Sequence, residues 1–480
     1  MPRHRGGSTN MIARLDALAD SIERRTPEGR DRYLDFLRVA AIAAVVLGHW
    51  LVRVVTVEDG RLESDYLLAA VPATQWATWW VQVMPLFFIV GGWSNLRSWR
   101  SARARGERLV AWIRSRARRL LRPLVPLLVV WVTVAAVLES WRGQDALVFG
   151  AETAIIPAWF LAAYLLVTAL TPVLARRHEA DGGSRVLAGL AAAAVLIDGL
   201  RFAGPDWATG LPTVEGEPLF AALNYLFVWL AVHQLGFWWA DGRVPTRRSR
   251  QVLLAAGAIA FLALLVGFGG YPRSMVSVPG AELSNSAPPT VALLVLGIAQ
   301  LAAAAAARPG LERWLARPRV WAVVVLAGSR LMAVFLWHQT AMLVVAAVAY
   351  PTGLWSAGER IDAEWWLSRP AWIAACAIVL ALLVAVVGRW ETAGPASDSV
   401  LPGRVAAVKT VAALLLTSIG LGVLIVGGLT DPDGPLGLPA GPLAALLAGL
   451  FGMGVVGQSW RARLAPAVSA GGRDRQFLER

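Results

Sequence analysis

Arg38 and His49 share one apolar run, LDFLRVAAIAAVVLGHW, which would otherwise read as plain membrane-spanning helix. They are eleven positions apart, about three full turns, so both side chains fall on one helix face, separated by ~16 Å along the axis. An ionisable group in hydrocarbon is costly unless it faces a bundle interior or a water-filled cavity, which makes this stripe a candidate functional site. Structural readings stand beside it: Arg38 can snorkel to the interface, and His49 can serve as a helix-to-helix hydrogen bond. Chemically, a histidine titrating at about 6.5 suits proton transfer near neutral pH, and a permanently charged arginine suits an anion or developing negative charge.

Three further ionisable residues lie in apolar surroundings: His338 in FLWHQTAM, His233 in LAVHQLGF and Asp198 in AAAAVLIDGL. His233 reads as structural and Asp198 as an unassigned candidate for acceptor contact. Cys376, the one cysteine, sits in an apolar run, so neither a disulfide framework nor a thiol nucleophile is expected. There is no Gly-x-x-x-x-Gly-Lys-Ser/Thr loop, no His-Glu-x-x-His and no cysteine pair, which removes the common nucleotide and zinc sites; no bound metal is expected.

The elements that must position these residues are apolar helices. Of 480 residues 57% are hydrophobic and only 16% charged, too apolar for a soluble domain, and runs of about twenty apolar residues recur from residue 36 almost to the C-terminus. The expected fold is an all-α polytopic transmembrane bundle, because only helices and closed barrels satisfy backbone groups in lipid. Twelve spans are predicted: 36–57, 76–95, 120–138, 157–175, 186–200, 218–240, 251–271, 290–307, 330–350, 370–390, 405–428 and 440–458. Residues 320–330 join the ninth span or form a separate re-entrant or surface segment.

The net charge of +13 resides in short loops between spans rather than on one soluble face, which argues for membrane topology and against nucleic acid. The loops after spans two, four, six and eight are basic, and the alternate loops are poor in bases and rich in acids. The positive-inside rule then places both termini in the cytoplasm of a plasma-membrane protein. Residues 1–33 read as a basic cytoplasmic tail, in which Ile12, Leu15, Leu18, Ala19 and Ile22 are spaced as in an amphipathic surface helix, with a disordered tail as the alternative. Trp76, Trp79, Trp80, Trp365 and Trp366 fit interfacial belts.

Several pieces of the sequence, taken in order, resemble the membrane-bound acyltransferase 3 family, which O-acylates sugars and related acceptors. YLDFLRVAAIAAVVLGHW is similar to its first-span signature, with arginine, ten residues and then histidine. MPLFFIVGGW is similar to its Phe-Phe-x-x-Ser-Gly element, RARRLLRPLVP to its Arg-x-x-Arg element with Arg119 and Arg122 as the matching pair, and PAWFLAAYLL to its Trp-Phe-Leu opening of span four. AGSRLMAVFLWHQ resembles its Gly-x-x-Ser run leading to a histidine, and VVGRWETAGP the Glu and Pro that close the core. The likeness implies a ten-span core over 34–395, two additional spans in 396–460 and a cytoplasmic tail at 461–480. One departure is notable: the family's serine is Gly91 here, so its hydroxyl must be supplied by Ser94, by backbone, or not at all. Gly91 and Gly92 are kept as shape residues, and Glu391 as a support residue paired with an arginine at the membrane face.

The resemblance implies an acyl-CoA donor, usually acetyl-CoA, as co-substrate with no bound cofactor, and a hydroxyl-bearing acceptor, expected to be a carbohydrate of the cell envelope. CoA is a polyanion, so its phosphates call for fixed cations; ten arginines lie between Arg97 and Arg122, most explained by positive-inside bias, with Arg119 and Arg122 the donor-binding candidates. His49 is the candidate general base, Arg38 orients the donor or stabilises an oxyanion, and His338 has a second catalytic or a structural role. A secondary transporter or channel is the alternative, since intramembrane ionisable residues also mark those proteins.

Overall fold

The computed structural model describes residues 6–58, 61–140, 153–202, 213–214, 217–355, 361–388, 403–431 and 433–456. Among them the chain is a helical bundle with two short antiparallel hairpins. Its helices are α1 Gly6–Arg25, α2 Arg32–Val52, α3 Met84–Ala104, α4 Leu109–Leu121, α5 Leu124–Ser140, α6 Trp159–Asp181, α7 Ser184–Phe202, α8 Asn224–Ala240, α9 Arg248–Phe268 and α10 Val291–Leu315. They continue with α11 Pro318–Gly328, α12 Leu331–Ala349, α13 Ala363–Val387, α14 Gly403–Gly427 and α15 Ala440–Gly452.

A helix stands at each of the twelve predicted spans, but fewer meet the length and composition of a membrane crossing. Eight helices do so among the described residues, and nine if α4 and α5, bent by 46° at their junction, count as one span. Pro123 explains the bend, since it cannot donate to the helical ladder and disfavours helical backbone before it. The spans predicted at 76–95, 186–200 and 440–458 fall short for identifiable reasons. Helix α3 carries Asn95, Arg97, Arg100 and Arg103, α7 carries Arg185, Asp198 and Arg201, and α15 is only 13 residues long.

One local expectation changes and two open alternatives are decided. The first span ends at Val52 rather than at 57, because Val54, Val55, Thr56 and Val57 are β-branched; Arg53–Glu58 pairs with Arg61–Tyr66 as a hairpin. The N-terminal leader forms the helix α1, tied to α11 by an Asp16–Arg319 ion pair and by Trp321 Nε1 donating to Thr26 Oγ1 at 2.7 Å. Residues 318–328 form their own helix instead of extending the ninth span. Of the tryptophans assigned to interfacial belts, Trp80 is exposed, whereas Trp79 is buried and donates to Arg273 O at 2.8 Å.

The centre of the bundle is the contact between α3 and α8. An added Cβ on Gly92 would lie 2.0 Å from His233 O, and one on Gly236 2.0 Å from Ile89 O, so the two backbones approach as only glycine allows. Helix α2 packs against α3, α10, α12 and α13. Its start is fixed by Asp31, whose side chain accepts from Leu34 N at 3.1 Å as an N-cap.

At the basic end of the bundle, Arg100 binds Asp241 through two hydrogen bonds of 2.6 and 2.9 Å and Glu179 at 3.2 Å, while Arg103 binds Glu179 at 2.9 Å. His178 Nε2 lies 3.0 Å from the same Asp241. This clasp joins α3, α6 and the end of α8. Asp241 lies beyond the last residue of α8, and the Arg100 guanidinium holds its carboxyl below the usual carboxylate range. A depressed carboxylate stabilises the fold above its unfolded pKa of about 3.9, and that contribution is lost as pH falls through the lower folded value. Melting temperature should therefore fall below pH 4 in the wild type, and a melting series should show a smaller fall over that window for Asp241→Asn.

At the opposite end, Asp198 accepts from Asn224 Nδ2 at 2.8 Å, Tyr271 Oη at 2.9 Å and the first backbone N–H of α10, Val291 N, at 2.8 Å. Both oxygens take part in fixing the 269–290 loop and capping α10, so Asp198 is a buried structural staple.

Candidate active site

His49 and His338 meet. His49 Nδ1 lies 2.7 Å from His338 Nε2, and the two rings are nearly parallel, 8° apart. His338 Nδ1 lies 2.6 Å from Phe335 O, a carbonyl that can only accept, so this nitrogen carries the proton. In a neutral ring Nε2 of His338 is then an acceptor, and His49 must donate to it from Nδ1. The consequence is a His49 whose Nε2 keeps its lone pair. His338 is fully buried, whereas His49 is partly exposed. The pair is braced on both helices: Trp50 Nε1 donates to His338 O at 2.9 Å, Trp372 Nε1 to Trp50 O at 3.1 Å, and Trp131 Nε1 to Thr340 Oγ1 at 2.9 Å.

Arg38 occupies the other end of the stripe. It pairs with Asp35 at 2.7 Å, and its second terminal nitrogen donates to Ser94 Oγ. Ser94 in turn donates to Val90 O at 2.7 Å. A Cβ on Gly91 would lie 2.6 Å from the Tyr164 phenol oxygen, so that hydroxyl fills the space a serine would need. Ser94 thus supplies a hydroxyl to Arg38 and Tyr164 supplies one beside Gly91. Tyr164 Oη, Thr168 Oγ1 and His233 Nε2 all lie 3.3–3.4 Å from Asn95 Nδ2, which makes His233 part of a buried polar cluster behind the stripe.

Between the two ends, Ala41, Ile42 and Val45 of α2 line a narrow apolar crevice with Met84, Phe87, Phe160 and Phe335, too tight in this structure to admit water. Residues 38, 42, 45 and 49 follow helical spacing, so the crevice runs along the stripe itself. Phe335 links the two features, being both a wall of the crevice and the residue whose carbonyl orients His338.

The donor-binding candidates separate. Arg119 is exposed on α4, and one turn before it Arg116 stands within electrostatic range of Arg119, Tyr164 and Arg38. Arg122 has Arg118 as a charged neighbour. Arg116 was obscured in the sequence by nine other arginines nearby. Its spacing from Trp112 and Arg119 marks one helix face and could have singled it out. Arg53 was also missed: it stands where α2 gives way to the hairpin strand, four positions after His49, and its guanidinium lies 5.2 Å from the Tyr66 ring centroid. Glu391 lies outside the described residues. Among the described residues no group of three or more His, Cys, Asp or Glu side chains is arranged to hold a metal ion.

Fold and site together define a multi-helical membrane protein whose arginine-to-histidine stripe ends on a buried histidine partner. A family model described as an acyltransferase domain matches residues 31–390 of this chain, which therefore belongs to the acyltransferase 3 family. No curated protein and no solved structure matches it. Family membership replaces the transporter reading, and the matched segment contains every residue of the stripe.

Proposed function

We propose that the protein transfers an acetyl or other short acyl group from acyl-CoA to a hydroxyl of a glycan, glycolipid or glycosylated small molecule of the cell envelope. The observation that carries this reading is the His49–His338 pair, whose hydrogen bonds leave His49 Nε2 able to accept a proton. In the reaction the acceptor hydroxyl attacks the thioester carbonyl as His49 takes its proton. The tetrahedral intermediate then collapses, the carbon–sulfur bond breaks, and the proton passes from His49 to the departing CoA thiolate.

Distance divides the remaining roles. Arg38 is ~16 Å from His49 along α2, too far for both to act on one carbonyl. Arg38, Arg116 and Arg119 are therefore assigned to the anionic end of the donor, where a guanidinium holds phosphate oxygens bidentately. The apolar crevice is closed in this structure, so the pantetheine arm would have to part its walls to reach His49, and those walls would then keep water from competing with the acceptor. Arg53, just past the end of α2 that carries His49, supplies positive charge where the oxyanion develops. The donor then enters from the cytoplasm, as the positive-inside orientation requires, in a plasma-membrane protein with both termini inside.

Release of free CoA by the purified protein in nanodiscs, given acetyl-CoA, should depend on a cell-envelope glycan extract. Release that is absent with a full range of extracts would remove this acceptor class. Within that assay, Arg116→Gln should raise the donor KM by about tenfold or more with kcat retained, the size expected for losing a charge-assisted hydrogen bond. Arg53→Gln should instead lower kcat with little change in KM, and the reverse pattern would exchange the two assignments.

A further inference from the structure

Helix α9 stands at the edge of the bundle, packed chiefly against α10, and only 17% of its span is buried. One of its faces forms an open groove of about 550 Å³ lined by Arg250, Leu253, Leu254, Gly257, Ala258 and Phe261, with α10 as the floor. That volume is the size of a ligand pocket rather than a packing defect. Gly257 makes the hollow, since a Cβ built there meets nothing within 4 Å. From Arg250 to Phe261 the groove runs ~16 Å along the helix, close to half of the ~30 Å hydrocarbon thickness. Its sides are apolar, and its one charged lining residue stands at the end where Arg247 and Arg248 also lie. No carboxylate pairs with Arg250 among the described residues.

We propose that this groove binds one anionic phospholipid of the leaflet facing the basic loops, its phosphate on Arg250 and one acyl chain along Gly257 to Phe261. Two features select this occupant over any other apolar partner: the groove is as long as one leaflet is thick, and its cationic end adjoins the basic loop that carries Arg243, Arg247 and Arg248. A second copy of the chain would bury apolar surface in the groove but would leave Arg250 without a counter-charge. The site is separate from the stripe on α2 and does not depend on the acyl-transfer reading.

Native mass spectrometry of the detergent-purified protein with equal amounts of phosphatidylglycerol and phosphatidylcholine tests it. Wild type should retain one phosphatidylglycerol preferentially. Gly257→Leu, which fills open space without a clash, should abolish retention. Arg250→Gln should reduce the preference for phosphatidylglycerol about fivefold, the worth of one cation at an anionic membrane surface. Equal retention by wild type and both variants, no retention at all, or a dimer that Gly257→Leu dissociates would each overturn the proposal.

Discussion

Replacing His49 with alanine is expected to lower acyl transfer by ~10²–10⁴-fold, the usual contribution of a positioned general base, while leaving a folded protein. The fold should survive because His49 is only partly buried and its ring makes one hydrogen bond, to His338. Leaving His338 Nε2 unpaired costs about 1–3 kcal/mol, a local loss. Donor KM should change little, since the cations assigned to CoA lie at the far end of α2. His338→Leu provides the accompanying test: it keeps the apolar volume but removes the acceptor that fixes the His49 tautomer. It should reduce kcat with KM maintained and move the pH profile of kcat, because His49 would then choose its own protonated nitrogen. A His338→Leu enzyme with unchanged rate and pH profile would show that the pairing is structural only.

The second large effect is on stability. Gly92→Val should prevent recovery of a monodisperse bundle, because the added side chain meets the backbone carbonyl of His233 and the Cα of Gly236 rather than a flexible side chain. Neither helix can yield without separating α3 from α8, a penalty at or above the ~3 kcal/mol upper end usual for overpacking. Gly189→Ala, on α7 where nothing lies within 4 Å of the new Cβ, is the matched control and should fold normally. Size-exclusion profiles and melting temperatures of the two variants compare them directly, and a normally folded Gly92→Val protein would contradict the close approach.

The helical bundle was legible because each apolar run is continuous and long, a signal that survives without knowledge of neighbours. The count of crossings was less so. Helices α3 and α7 carry polar residues such as Asn95 and Asp198 that are satisfied by other helices, and such partners are invisible in one dimension. Arg38 and His49 could be grouped because they share one helix and a fixed pitch. His338 could not be paired with His49 by spacing, since they are 289 positions apart; only the packing of α2 on α12 joins them. For the same reason the hydroxyl missing at Gly91 returned from Tyr164, 73 positions away, as well as from nearby Ser94. Among the arginines, spacing alone did not single out Arg116, because the packing of α4 on α6 is what brings it near Tyr164.

The most direct test is to supply acetyl-CoA labelled in the acetyl carbons to the nanodisc-embedded enzyme with envelope glycan, and to identify the product. The expected result is an alkali-labile acetyl ester on an acceptor hydroxyl, formed one for one with free CoA by the wild type and lost in His49→Ala. Undiminished ester formation by a folded His49→Ala protein would contradict the assignment of the base. Label that stays on CoA with every acceptor offered would contradict acyl transfer from this donor.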